Sequence, residues 1–157
     1  MRKRIVDLIP QQAVAPDQDW LNPENIAELE ISSEDPDYPI EFALLADQVP
    51  GWRAAGPGPQ IIRLIFKQPQ ALRRIFLKFV ETQAERTQEY SLHWSADGGE
   101  TFAEIVRQQW NFSPRGSTCE IEDHHVQLSA VTVLELCIIP DIGKDAEIAS
   151  LAQLRLS

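Results

Sequence analysis

The chain has 157 residues, 43% hydrophobic and 24% charged, which suits one domain with a real core and a globular rather than a disordered chain. Its formal net charge is −10, from 14 basic and 24 acidic residues, which argues against nucleic acid, since neutralising phosphates needs a basic face. No apolar run reaches the length of a membrane span, and the two cysteines, Cys119 and Cys137, lack any CxxC spacing and cannot build a disulfide framework.

The start, MRKRIVDLIPQQ, has basic residues but no apolar segment after them, because Asp7, Pro10 and two glutamines interrupt it. The expectation is a cytoplasmic protein with an amino-terminal arm over residues 1–24, in which Trp20 serves to dock the arm. AELEISS offers Leu29 and Ile31 against Glu28 and Glu30, the alternation of a strand with one buried face. PIEFALLAD predicts one short helix, with Phe42 and Leu45 three apart. QIIRLIF and LRRIFLKFVE read as two strands separated by KQP, burying Ile62, Leu64 and Phe66, then Ile75, Leu77 and Phe79. Phe76 falls on the opposite face, between Arg74 and Lys78, and is an interface candidate if exposed.

EYSLHWS alternates Tyr90, Leu92 and Trp94 with Ser91, His93 and Ser95, and ADGG at 96–99 turns it into a hairpin. VTVLELCII places Leu134, Leu136 and Ile138 opposite Glu135 and Cys137, and Cys137 reads as a small buried hydrophobe. LAQLRL closes the chain, burying Ala152, Leu154 and Leu156. Prolines 57, 59, 69, 114 and 140 sit at element edges, where a missing N–H costs least. There is no internal repeat or linker. Short strands with regular turns predict a single all-β domain, a sandwich or jelly roll of about eight to nine strands with one short helix.

Four stretches in this order resemble the galactose-binding-like β-sandwich superfamily, which includes discoidin (coagulation-factor type C) domains and family 32 carbohydrate-binding modules. They are ALLADQVPGW, PQIIRLIF with LRRIFLKF, QEYSLHWSADGGETF, and VTVLELCIIP with ASLAQLRL. SSEDPDYPIEFALL followed by GWRAAGPG also resembles, locally, the amino-terminal domain of the single-strand-break repair scaffold protein, a protein-interaction member of the same fold. The resemblance implies fold more directly than function, because function sits in loops grafted on the sandwich.

Sugar modules of this fold hold ligand in loops at one end. Two segments here carry suitable side chains: Arg86, Thr87 and Gln88 before EYSLHWS, and Arg107, Gln108, Gln109, Trp110 and Asn111 in RQQWNFSP. They flank one hairpin, so its geometry brings them side by side opposite the ADGG turn. A ring covers the C–H face of a pyranose while amides and guanidinium fork onto hydroxyls. About 40–60 Å² of apolar contact supplies only about 1–1.5 kcal/mol, so the expected Kd is roughly millimolar to high micromolar. The same residues fit a second reading, in which Trp110 plugs the sandwich end and Arg107 bonds a loop carbonyl.

Discoidin-like domains also imply a structural calcium, and Asp47 matches its aspartate. The final-strand glutamate of that site is Gln153 here, which weakens a hard-cation site. His124 and His125 point to opposite strand faces and cannot readily share a metal, and His93 has no second ligand in its own strand. No GxSxG, HExxH, P-loop or Rossmann glycine pattern is present. The sequence therefore predicts a non-catalytic binding module taking carbohydrate, or alternatively a protein partner, working as a subunit or homo-oligomer, with no cofactor required.

Overall fold

The computed structural model describes residues 20–45 and 50–157; the Arg2–Lys3–Arg4 group and Asp47 lie outside them. The elements are α1 (Pro23–Ile26), β1 (Ala27–Ile31), α2 (Glu41–Leu44), β2 (Trp52–Pro57), β3 (Gln60–Val80), β4 (Arg86–Ser95), β5 (Ala103–Phe112), β6 (Cys119–Ile139), β7 (Ile148–Leu151) and β8 (Gln153–Leu156). All pairings are antiparallel, in the order β1-β3-β6-β4-β5, with β8 also on β3 and β2-β7 as a separate ribbon. No helix among the described residues is long and apolar enough to cross a membrane.

The two strands expected around KQP are one. β3 and β6 each run 21 residues, and their pairing slips register between Ile65 and Arg74. That irregular stretch contains Pro69, which has no ladder N–H to give. On one side of it β3 pairs β1, and β6 pairs β4, from Val133 to Ile139. On the other side β3 pairs β8, and Cys119–Leu128 of β6 faces β4 instead of pairing with it. Each long strand thus serves both layers of the sandwich.

The alternation places the core as expected. Ile62, Leu64, Ile75, Leu77, Phe79, Tyr90, Leu92, Leu134, Leu136, Ile138, Leu154 and Leu156 are buried, each full burial of such a side chain being worth about 1.5–3 kcal/mol. Trp52 is buried too, its Nε1 donating to the Ser33 carbonyl at 3.1 Å. Leu29 is exposed, and Trp94 and Ala152 are half-buried, because β1 is an edge strand and Trp94 reaches the hairpin end.

The helix is a single turn, and it buries Ala43 and Leu44 rather than Phe42 and Leu45. Its end is held by buried Arg155, which donates to the Ala43 and Leu45 carbonyls at 2.7 and 2.9 Å. A guanidinium thus satisfies carbonyls that a helix end leaves without intrahelical partners.

Phe76 is no interface residue. It is 2% exposed, with the Trp20 ring 6.2 Å away and Arg74 stacked over that ring at 5.5 Å. Trp20 docks the end of the arm, as expected.

Candidate functional site

The residues expected to form one surface lie within strands, not loops: β4 begins at Arg86 and β5 extends to Phe112. Pleating therefore sends alternate members to opposite faces. Cross-strand pairs Arg86–Phe112, Gln88–Trp110 and Tyr90–Gln108 face inward, while Thr87–Asn111, Glu89–Gln109 and Ser91–Arg107 face outward.

The outward set satisfies itself. Thr87 Oγ1 donates to Asn111 Oδ1 at 2.7 Å, and Gln109 Nε2 to Glu89 Oε1 at 3.2 Å. Arg107 reaches Glu89 at 3.0 Å and Glu104 at 2.7 Å. Arg107 bonds carboxylates here, where the second reading gave it a loop carbonyl. These are exposed pairs that order the hairpin's outer face and add little stability.

The inward set makes a buried polar network in the sandwich interior. Arg86 is 3% exposed and Gln88 fully buried, so neither is open to a ligand from solvent. Arg86 Nε donates to Glu81 Oε1 at 2.7 Å, and its Nη1 donates to Gln88 Oε1 at 3.0 Å and the Pro140 carbonyl at 2.7 Å. Its guanidinium lies 4.8 Å from the Phe112 ring centroid. Burial opposes the charge on Glu81, but Arg86 and the Gln83 and Ala84 N–H groups outweigh it and hold that carboxyl below its usual range.

Gln88 Nε2 donates onward to Glu120 Oε1 at 3.3 Å. Glu120 is fully buried. Burial, with neighbouring Glu122, raises its pKa from an ordinary 4.5 to about 8. Tyr90 O–H lies 2.6 Å from His124 Nε2. Burial pushes the phenol above its ordinary range and the imidazole below its own, so the pair is a neutral hydrogen bond near pH 7, its direction set by the imidazole tautomer. Arg86 Nη2 and Glu120 Oε2 have no hydrogen-bond partner among the described residues.

A neutral Glu120 makes a directional prediction. An acid whose folded pKa is raised contributes full stability below the unfolded pKa and loses it as pH climbs to the folded value. Glu120→Gln keeps the shape without that titration. The variant's melting temperature should match the wild type near pH 4 and exceed it increasingly up to about pH 8. A pH-independent difference in parallel thermal melts would contradict the neutral assignment.

Trp110 is half-buried. Its ring packs on the core and its Nε1 donates to Ser117 Oγ at 3.0 Å. It sits on β5, the edge strand of the sheet. Gln108, Glu122 and His124, all half-exposed, occupy the same inward faces. The ring thus packs on the core with part of its surface left to solvent. The signal for this network was in the sequence: Arg86 and Gln88 share the parity of Tyr90 and Leu92.

Of the calcium ligands expected, Asp47 cannot be placed. Gln153 contributes a neutral Oε1 that is buried without a hydrogen-bond partner among the described residues. Glu34 and Asp35 accept from the Ile40 and Asp37 N–H groups at 2.9 Å each, which organises the loop before α2.

No family model and no curated protein matches the chain. Solved structures do. The chain is similar to a family 32 carbohydrate-binding module of NanJ from Clostridium perfringens in complex with galactose, with 13% identity and TM-score 0.64, covering 87% of this chain and 96% of that one. It is similar to a second Clostridium perfringens module in complex with GalNAc-β-1,3-galactose, with 21% identity and TM-score 0.60, covering 88% and 99%. It is also similar to the family 32 module of AlyQ in complex with 4,5-unsaturated mannuronic acid, with 14% identity and TM-score 0.60, covering 84% and 95%. At such identities the likeness is one of architecture, and the chain has the galactose-binding-like β-sandwich fold that its ordered motifs imply.

Proposed function

We propose that the chain is a non-catalytic module that binds carbohydrate weakly at the rim around Trp110. The observation that carries the reading is the Trp110 indole. It is half-buried at a sheet edge and held by a hydrogen bond to Ser117, with Gln108 beside it and the Arg86–Gln88–Glu120 network behind. A ring fixed in place loses little freedom when a sugar stacks on it. Arg86 and Gln88 support that rim from within and do not touch ligand. Asn111, Gln109 and Arg107 lie on the other face and are outside this site. The fold neighbours named with galactose and GalNAc-β-1,3-galactose make those sugars the first to try.

Isothermal titration with galactose, N-acetylgalactosamine and a panel of disaccharides tests it. Saturable binding with a Kd of roughly 0.1–5 mM is expected. Trp110→Ala, checked for an intact melt, should weaken it about five- to tenfold, since stacking on the ring supplies about 1–1.5 kcal/mol. A flat response to every sugar would overturn the reading and favour a protein partner.

A further inference from the structure

The outer face of the large sheet carries a cluster that sequence periodicity did not bring together. His93 of β4 pairs across to Glu135 of β6, and Ser91 pairs to Cys137, two residues further along. His93 was read as having no second ligand in its own strand. The ligands come from the neighbouring strand, on the same face. Cys137, expected as a buried hydrophobe, is half-buried here, and its thiol donates to Glu135 Oε1 at 3.3 Å.

We infer that His93 Nδ1, Glu135 Oε1 and Cys137 Sγ form a site for a thiophilic divalent cation of the Zn²⁺ class. The three ligand atoms all lie within 4.8 Å of one another, with Nδ1 and Oε1 3.9 Å apart. Ligands on a tetrahedral zinc, at bonds of about 2.0–2.3 Å, stand roughly 3.3–3.7 Å apart. Closing the cluster on an ion therefore takes about an ångström of side-chain movement, without backbone change. Nitrogen, carboxylate and thiolate together are a donor set for zinc rather than for magnesium or calcium.

Two further observations orient the ligands. His93 Nδ1 is buried and has no hydrogen-bond partner among the described residues, while Glu104 Oε1 lies 3.5 Å from His93 Nε2. A carboxylate on one ring nitrogen favours the proton there and leaves the other lone pair for a metal. The second oxygen of Glu135 is held by Arg63, at 2.9 Å from Nε and 2.6 Å from Nη2. This fixes the carboxylate with Oε1 toward the histidine and the thiol. Three protein ligands leave a fourth position for water or for a group from outside. On binding, the Cys137 S–H proton passes to solvent, so the ion meets a neutral imidazole, a carboxylate and a thiolate. The site is on the opposite face from Trp110 and does not depend on the carbohydrate reading.

The test is titration of the full chain with zinc chloride and, in parallel, with Co²⁺, under a non-thiol reductant. One ion per chain with a Kd of about 10 µM or tighter is expected, with a thiolate-to-cobalt charge-transfer band in the near ultraviolet. Cys137→Ser should abolish that band, and His93→Gln should weaken binding at least about tenfold. Cys119→Ser should leave both unchanged. Absence of stoichiometric binding, or a charge-transfer band that survives Cys137→Ser, would overturn the assignment.

Discussion

Arg86→Met should lower the stability of the domain by about 3 kcal/mol or more, since removing one partner of a buried ionic network leaves the others uncompensated. For a chain of this size that is a fall in Tm of roughly 6–12 °C. Arg86 alone joins the start of the β3–β4 loop at Glu81, the side chain of Gln88 and the Pro140 carbonyl after β6. Methionine fills the volume over Phe112 but supplies no donor. The Gln88 and Pro140 oxygens then lose their Arg86 hydrogen bonds in a buried interior. Arg86→Lys keeps the charge and loses the fork, and should fall between the two. Thermal or urea denaturation measures all three. A shift below about 2 °C for Arg86→Met would show that the network is not needed for stability.

Gly51→Ala is expected to be comparably damaging, by about 3–5 kcal/mol, for a backbone reason. Gly51 has φ 101°, and an added Cβ would lie 2.4 Å from the Leu151 carbonyl oxygen and 2.7 Å from the Ala152 Cα. The positive φ costs about 1–2 kcal/mol for an L side chain. The clash is with main chain, so β7 itself must move. That movement would unseat the Trp52–Leu151 pair and the buried Trp52 ring. Gly56, within β2, has nothing within 4 Å of an added Cβ. Gly56→Ala should therefore change Tm by less than about 2 °C. Similar melts for the two variants would refute the close-approach argument.

The fold was legible because its strands alternate cleanly where the interior is apolar. Ile62, Leu64, Leu77, Phe79, Leu92 and Leu136 all announce themselves by period and polarity together. The candidate site was only partly legible because its interior is polar. Arg86 and Gln88 look like loop residues by composition, and only their parity with Tyr90 marks them as inward. Taking RQQWNFSP as one patch overlooked the pleat, which turns Trp110 away from Gln109 and Asn111. Phe76 was misplaced for another reason: alternation gave its face correctly, but not the arm residue Trp20 that covers it. The His93, Glu135 and Cys137 cluster needs the register of β4 on β6, which periodicity within a strand cannot supply.

The two long strands bear on how the chain acquires its structure. Neither layer contains a complete set of neighbours without β3 and β6, so neither is a folding unit by itself. The contact between Arg63 and Glu135 spans 72 residues of chain, and the loop between them must close before that pairing returns any free energy. A nucleus built on so non-local a pairing forms slowly, on the millisecond-to-second scale of β-sandwiches. Once formed, it commits both layers together. The surfaces at Trp110 and at His93 then become ordered in the same cooperative event, one on each side of β4.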